Sequence, residues 1–216
     1  MPSDGPPAVP PAGPQAVLFD LDGTLVDTEP HWWRATGAVA RVLGVELGPA
    51  DEPHVLGRTA EDTAAHLLSR ASGPFTSSLE GTPGGAAVAR DLIAGYARRL
   101  RRGVEVMPGA LTLLGELAAA RIPTALVTAS PRGVVALVLP RLGHPFDQVI
   151  AAGDTPRGKP YPDPYLEAAR RLGADPRRCV AVEDSPAGIA AATAAGCRVL
   201  AVTPEHGLPS LSQIRA

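Results

Sequence analysis

Five short apolar runs constrain the fold of this chain more than anything else in it. They are Ala16 to Asp20 (AVLFD), Ile122 to Thr128 (IPTALVT), Gln148 to Ala152 (QVIAA), Cys179 to Glu183 (CVAVE) and Arg198 to Val202 (RVLAV). All are mostly β-branched or aliphatic and lack polar alternation, the pattern of strands buried on both faces of a parallel sheet. Helical stretches separate them. One covers 110–120, and a second opens at Ser130-Pro131, read as N-cap and first helical residue, and runs to about Leu142. A third spans Pro162 to Leu172 with Gly173 as its C-cap, and a fourth opens at Ser185-Pro186 and ends at Gly196. Strand, helix and strand in repetition require right-handed crossovers and a doubly wound α/β sheet. Ligands of such sheets gather at the carboxyl ends of the strands, near the point where the strand order reverses.

One segment breaks the alternation. Between Val26 and about Arg102 no strand is evident, and helical stretches are expected near 31–43, 59–71 and 86–100, with a Gly/Pro/Ser-rich stretch from Ser72 to Gly85. Some 75 residues are too many for a simple connection, so a helical lobe inserted after the first strand is the economical reading. Residues 15–25 and 104–216 then make the core domain, 26–103 the helical insertion, and 1–14 a disordered Pro-rich tail. A chain of 216 residues suits one core plus a small second lobe. A net charge of -2 gives no electrostatic case for nucleic acid. Apolar stretches fall short of the ~20 residues of a spanning helix, and the first residues lack the basic and apolar regions of a signal peptide. Two cysteines, Cys179 and Cys197, are too few for a disulfide framework and read as small buried residues. A cytoplasmic location, no membrane partner and a monomeric state are the resulting expectations.

The strongest local signal is DLDGTLVDT, Asp20 to Thr28. Two carboxylates two positions apart leave a buried strand and enter a Gly-Thr turn. A calcium loop counted from Asp20 would need Gly at its sixth position and Glu at its twelfth; those are Leu25 and His31. Turn chemistry accounts for one acid better than for two. The other strand ends add Thr128, with Ser130 close behind, and Glu183 with Asp184, while Lys159 lies ahead of the third helix. A doubly wound sheet would bring them to one rim. Carboxylates crowded there raise one another's pKa values, and Mg²⁺, with its preference for oxygen ligands, relieves the crowding. Cation, ammonium and hydroxyl together describe a phosphate-binding site. Lys159 is the only lysine among 20 basic residues, which makes its position at this rim conspicuous.

These residues resemble the four motifs of the haloacid dehalogenase superfamily of phosphohydrolases, in order, in spacing and in the place of the inserted cap. The resemblance covers nearly the whole chain after the tail and is closest to the subgroup of β-phosphoglucomutase and small-metabolite phosphatases. It implies that Asp20 is the nucleophile, forming an aspartyl-phosphate, and Asp22 the general acid and base. It implies that Thr128 and Lys159 hold the transferring oxygens. It places Mg²⁺ on Asp20, the Asp22 carbonyl and Asp184, with Glu183 in direct or water-mediated support. Gly23 would let backbone N–H groups close on the phosphate. Ser130 is either a helix cap or a phosphate contact, and His54 and Arg58 are candidate substrate contacts on a cap loop.

The chemistry expected from the resemblance is Mg²⁺-dependent hydrolysis of a small phosphomonoester, such as a sugar phosphate. The alternative is a hexose phosphomutase. Mutase-like relatives carry an arginine at the position of Ala60 and a histidine at that of Trp32, and both are missing here. Phosphonate cleavage needs a cap lysine, which is also missing. A receiver-like or non-catalytic phospho-ligand module is the reading from another class. A receiver would need its phosphorylated Asp at the end of the third strand, where the run reads DQVIAAGD with no Asp at its end before Gly153.

Overall fold

A computed structural model describes residues 13–71, 84–203 and 206–216. All but the end of the expected tail, and the Gly/Pro/Ser-rich stretch up to residue 83, lie outside the described residues. The five apolar runs form one parallel sheet from β1 (Ala16–Phe19), β4 (Thr124–Val127), β5 (Gln148–Ile150), β6 (Cys179–Glu183) and β7 (Arg198–Ala201), in the order β5-β4-β1-β6-β7. The chain builds outward from β1 to β4 and β5, then crosses to the other side of β1 for β6 and β7. The order therefore reverses around β1, whose carboxyl end faces the crevice where such sheets bind ligands.

Alternation along β1 explains why both faces are covered. Val17 and Phe19 enter a core shared with Leu113, Leu114 and Leu117 of α5 (Ala110–Ala119) and with Val134, Val135 and Val138 of α6 (Arg132–Leu142). Ala16 and Leu18 face the opposite core, built from Tyr165, Ala168 and Ala169 of α7 (Asp163–Leu172) and from Ala191 and Ala192 of α8 (Pro186–Ala194). A short α9 (Leu211–Arg215) adds Ile214 to the first core. The small side chains of α8 let it lie close to the sheet. Gly173 ends α7 in the left-handed region at φ 67°, as expected of a C-cap glycine. Cys179 and Cys197 are buried and free, as small core residues.

The inserted segment is helical: α1 (Glu29–Val42), α2 (Glu52–Val55), α3 (Ala60–Arg70) and α4 (Gly85–Leu100). Its apolar faces meet in a separate cluster including Ala40, Leu43, Ala64, Leu67, Val88 and Leu92. Asp51, buried beside it, accepts from Gly48 N–H at 2.8 Å and pairs with His66 and Arg70. Trp32 packs against both this cluster and the main core.

Two details differ from the sequence expectation. A two-stranded antiparallel ribbon joins the outgoing and returning chain, Val26–Asp27 (β2) pairing with Glu105–Val106 (β3). Two residues are too few to show a period, so pattern could not reveal it. Ser130 does not cap α6: the N-cap is Pro131, with no side-chain cap bond, and the helix starts at Arg132. Among the described residues, no helix is long and apolar enough to cross a membrane.

Candidate active site

Four strand ends or their following loops deliver the polar residues to one rim. Asp20 follows β1 with its N–H donating to Val182 O at 3.0 Å, and Thr128 follows β4 with its N–H donating to Ile150 O at 2.9 Å. Glu183 ends β6 and Asp184 comes next. Lys159 arrives from the connection between β5 and α7 and places its ammonium 2.6 Å from Asp20 Oδ1 and against Glu183 Oε1. The structure thus brings together Asp20, Asp22, Thr128, Ser130, Lys159, Glu183 and Asp184. The Lys159 side chain is 6% exposed, which its two carboxylate partners make tolerable.

Electrostatics at the rim are unbalanced. Burial pushes the Asp20 carboxyl up, Lys159 pulls it back down, and Glu183, Asp184 and Asp22 push it up again. Burial opposes the Lys159 ammonium, but Asp20 and Glu183 outweigh it and hold the group above its ordinary value. One ammonium is thus shared between two carboxylates. Asp184 is pushed up to about 6 by burial and by Glu183, against a hydrogen bond from Thr24 at 3.2 Å. Oxygens of Asp20, Glu183 and Asp184 lie within 4.8 Å of one another. Asp20 Oδ2 is buried without a hydrogen-bond partner. A buried anionic oxygen with no donor is costly and calls for an electropositive partner. The oxygen donor set suits a hard divalent cation such as Mg²⁺.

Glu183 holds Lys159 in place. Its Oε1 also accepts from Tyr165 at 2.7 Å, and its Oε2 accepts from the N–H groups of Asp184 and Ser185 and from Ser185 Oγ. With both oxygens engaged by five donors, Glu183 orients Lys159 from behind while lying in the same carboxylate cluster as Asp20 and Asp184. A Cβ on Gly188, in the first turn of α8, would fall 1.7 Å from Glu183 Oε1, so only glycine leaves room for this carboxylate. Ser185 caps α8 by accepting from Gly188 N–H, and its hydroxyl also reaches Glu183.

Gly23 also has a steric reason to be glycine. Its φ of 87° favours glycine, and a Cβ there would lie 2.1 Å from Asp184 Oδ2. Its N–H is spent inside the turn on Val26 O at 2.9 Å.

The Asp22 carboxylate is ringed by hydroxyls. Thr28 and Tyr96 each donate to Oδ1 at 2.8 Å, while Thr128 at 3.1 Å and Ser130 at 2.8 Å donate to Oδ2. Ser130 therefore serves the site, and the cap role that could have explained it is vacant. Thr28 and Tyr96 escaped sequence reasoning. Tyr96 lies 74 residues from Asp22 on a helix with ordinary apolar spacing, and no local signal marks it.

The candidate cap contacts are placed less directly. Gly57 approaches the rim, a Cβ there lying 3.8 Å from Ser185 Cβ. Its neighbours point their groups elsewhere: His54 stacks on His66 at 4.5 Å, and Arg58 Nε donates to Pro53 O at 3.0 Å. Trp32 ties the same loop down, its Nε1 donating to Val55 O at 2.8 Å. Asp154 shapes its own loop, accepting from Ala151 N–H and from Arg132.

A profile of the haloacid dehalogenase-like hydrolases matches residues 14–196. The chain belongs to that family. Hexitol phosphatase A of Escherichia coli (strain K12) is 35% identical over 205 residues, covering 91% of this chain and 87% of its own. Validoxylamine A 7'-phosphate phosphatase of Streptomyces hygroscopicus subsp. limoneus is 31% identical over 201 residues, covering 92% and 90%. The crystal structure of CbbY from Rhodobacter sphaeroides in complex with phosphate matches with a TM-score of 0.75 at 28% identity, covering 88% of this chain and 86% of that one. As a haloacid dehalogenase-like hydrolase, the chain carries its acids at the carboxyl end of β1, beside the strand-order reversal.

Proposed function

We propose that this phosphoric monoester hydrolase is a Mg²⁺-dependent phosphatase of small phosphorylated polyols or sugars, acting through an aspartyl-phosphate on Asp20. The observation that carries the reading is the unpartnered Asp20 oxygen, buried beside the Lys159 ammonium and within a cluster of three carboxylates. The phosphatase names of the curated relatives support the reaction, and the phosphate in the CbbY crystal structure supports the ligand class.

In the forward step Asp20 attacks phosphorus, and the bond to the leaving oxygen breaks as Asp22 gives that oxygen its proton. The second step is attack of water on the aspartyl-phosphate, with Asp22, now a carboxylate, taking the water's proton. Phosphate leaves and Asp20 is regenerated. Lys159 and Thr128 steady the phosphoryl oxygens, and Ser130 adds a further hydroxyl. Asp20, Asp184 and the Asp22 main-chain carbonyl would hold Mg²⁺, with Glu183 in support through Lys159. When bound, the cation supplies positive charge against the phosphoryl oxygens and the crowded carboxylates.

The segment 26–103 is the cap, and its closure over the rim excludes bulk water. The loop around Gly57 meets the core beside Ser185, so this loop flanks the side from which a leaving group would enter, and His54 and Arg58 would contact substrate only by leaving their present partners. Specificity then rests on this loop and on Trp32.

The test is a phosphometabolite panel with Mg²⁺, including hexitol, hexose and glycolate phosphates, followed by NMR. Free phosphate should accumulate with the parent alcohol. An isomerised sugar phosphate without phosphate release would assign a mutase instead.

Cation binding has its own readout. In the metal-free protein a raised Asp184 carboxyl favours the fold at low pH and costs stability as pH climbs through about 6. Protons thus compete with the cation below that value. Mg²⁺ at a hundredfold excess over Kd should raise Tm by about 5 °C at pH 8 and by clearly less at pH 5. Asp184→Asn should abolish the shift; an equal shift in that variant would remove Asp184 from the metal site.

A further inference from the structure

The four hydroxyls around Asp22 divide by origin. Those on Oδ2, Thr128 and Ser130, come from the loop after β4, where the phosphoryl group is expected. Those on Oδ1, Thr28 and Tyr96, come from the two ends of the helical insertion, just before α1 and near the end of α4. We propose that Tyr96 is a positioning residue for the acid: with Thr28 it anchors Oδ1 and thereby assigns the transferable proton to Oδ2. This rests on Asp22 being the general acid of the phosphatase.

A protonated carboxyl has one carbonyl oxygen, which accepts, and one hydroxyl oxygen, which donates. Two donors fixed on Oδ1 make it the accepting oxygen and leave the proton on Oδ2. Hydroxyls of Thr128 and Ser130 can turn about their C–O bonds and yield to a substrate's leaving oxygen. That oxygen then meets the proton without any change in the Oδ1 anchor.

Both anchoring groups are committed to this task. Thr28 occupies the N-cap position of α1 yet makes no capping bond. A side-chain cap is ordinarily worth about 0.5–2 kcal/mol, and this hydroxyl is given to Asp22 instead. Tyr96 is 5% exposed, and its ring is held edge-on to Trp32 with centroids 5.3 Å apart, so the hydroxyl cannot wander. Burial and the Asp22 charge raise the phenol's pKa well above its usual value, which keeps it a donor. Trp32 in turn bonds to Val55 O beside the Gly57 loop. The anchor is thus connected through packing to the loop proposed to meet substrate.

A merely structural tyrosine and a positioning one differ in leaving-group dependence. p-Nitrophenolate departs with little help from a proton, whereas an alkoxide needs one. Tyr96→Phe keeps the ring and removes the hydroxyl. Its kcat/KM on an alkyl phosphate such as glycerol 1-phosphate should fall about 10–100-fold, at least tenfold more than on p-nitrophenyl phosphate. Thr28→Val should show the same skew and Thr28→Ser should restore it, which keeps the test decisive if Tyr96→Phe fails to fold. Equal losses on both esters, or no loss, would overturn the inference while leaving the phosphatase intact. A wild type that hydrolyses neither ester would instead bring down the phosphatase reading itself, and the anchor with it.

Discussion

Asp20→Asn yields a folded protein that no longer turns over p-nitrophenyl phosphate in the presence of Mg²⁺. The expected loss in kcat is on the order of 10⁴-fold or more, the scale seen when a covalent nucleophile is removed. Asparagine has the same shape, so packing at the end of β1 is conserved while the charge between Lys159 and the cation site is deleted. Lys159 keeps Glu183 as a partner, so its ammonium is not stranded. Removing one of several crowded carboxylates also relieves repulsion with Asp184 and Glu183, both of which push Asp20 up. Tm in the absence of metal should therefore be close to wild type. Activity and fold separate in this variant, which makes it a clean test. Acid-quenched wild type incubated with radiolabelled substrate should carry an acyl-phosphate label that hydroxylamine releases, and Asp20→Asn should carry none. Retained turnover, or a label in the variant, would move the nucleophile to another residue.

The sequence displayed the sheet almost completely, because strands buried on both faces write themselves as unbroken apolar runs. Helix positions followed from spacing and glycine stops, as at Gly173. What stayed hidden has physical causes. Glu183 reads as a second acid next to Asp184, and only packing shows its oxygens taken by Tyr165, Ser185 and backbone donors. Ser130 before a proline carries an N-cap signal, yet the backbone begins the helix later and frees the hydroxyl for Asp22. Tyr96 looks like any core aromatic on a helix, since burial of its ring is periodic and the destination of its hydroxyl is not encoded locally. Motif residues were legible because chemistry demands their types at strand ends; their supporting groups were not, because many residue types can donate one hydrogen bond.

Lys159→Arg should lower kcat/KM by about 10²–10³-fold although it conserves charge, the scale of losing one well-aimed electrostatic donor. If the site needed only a positive charge, arginine would serve, and the composition favours it: 19 of the 20 basic residues are arginines. Geometry argues otherwise. The ammonium fits between Asp20 Oδ1 and Glu183 Oε1 and lies 5.4 Å from the Tyr165 ring centroid. Neither wall can retreat, because Tyr165 is fully buried and bonded to Glu183, whose other oxygen is fixed by the start of α8. A guanidinium is longer, planar and directs its N–H groups in a rigid fork. Seating it forces Asp20 aside or pushes the fork into the space meant for the phosphoryl group. Overpacking of this kind costs about 1–3 kcal/mol of stability, so Tm should fall by a few degrees while the protein stays folded. Lys159→Met separates size from charge: it fits the space but leaves Asp20 and Glu183 without their cation, so its stability should recover on acidification and its activity should not. Near-normal kcat/KM in Lys159→Arg would show that charge alone suffices and that this lysine survives by chance.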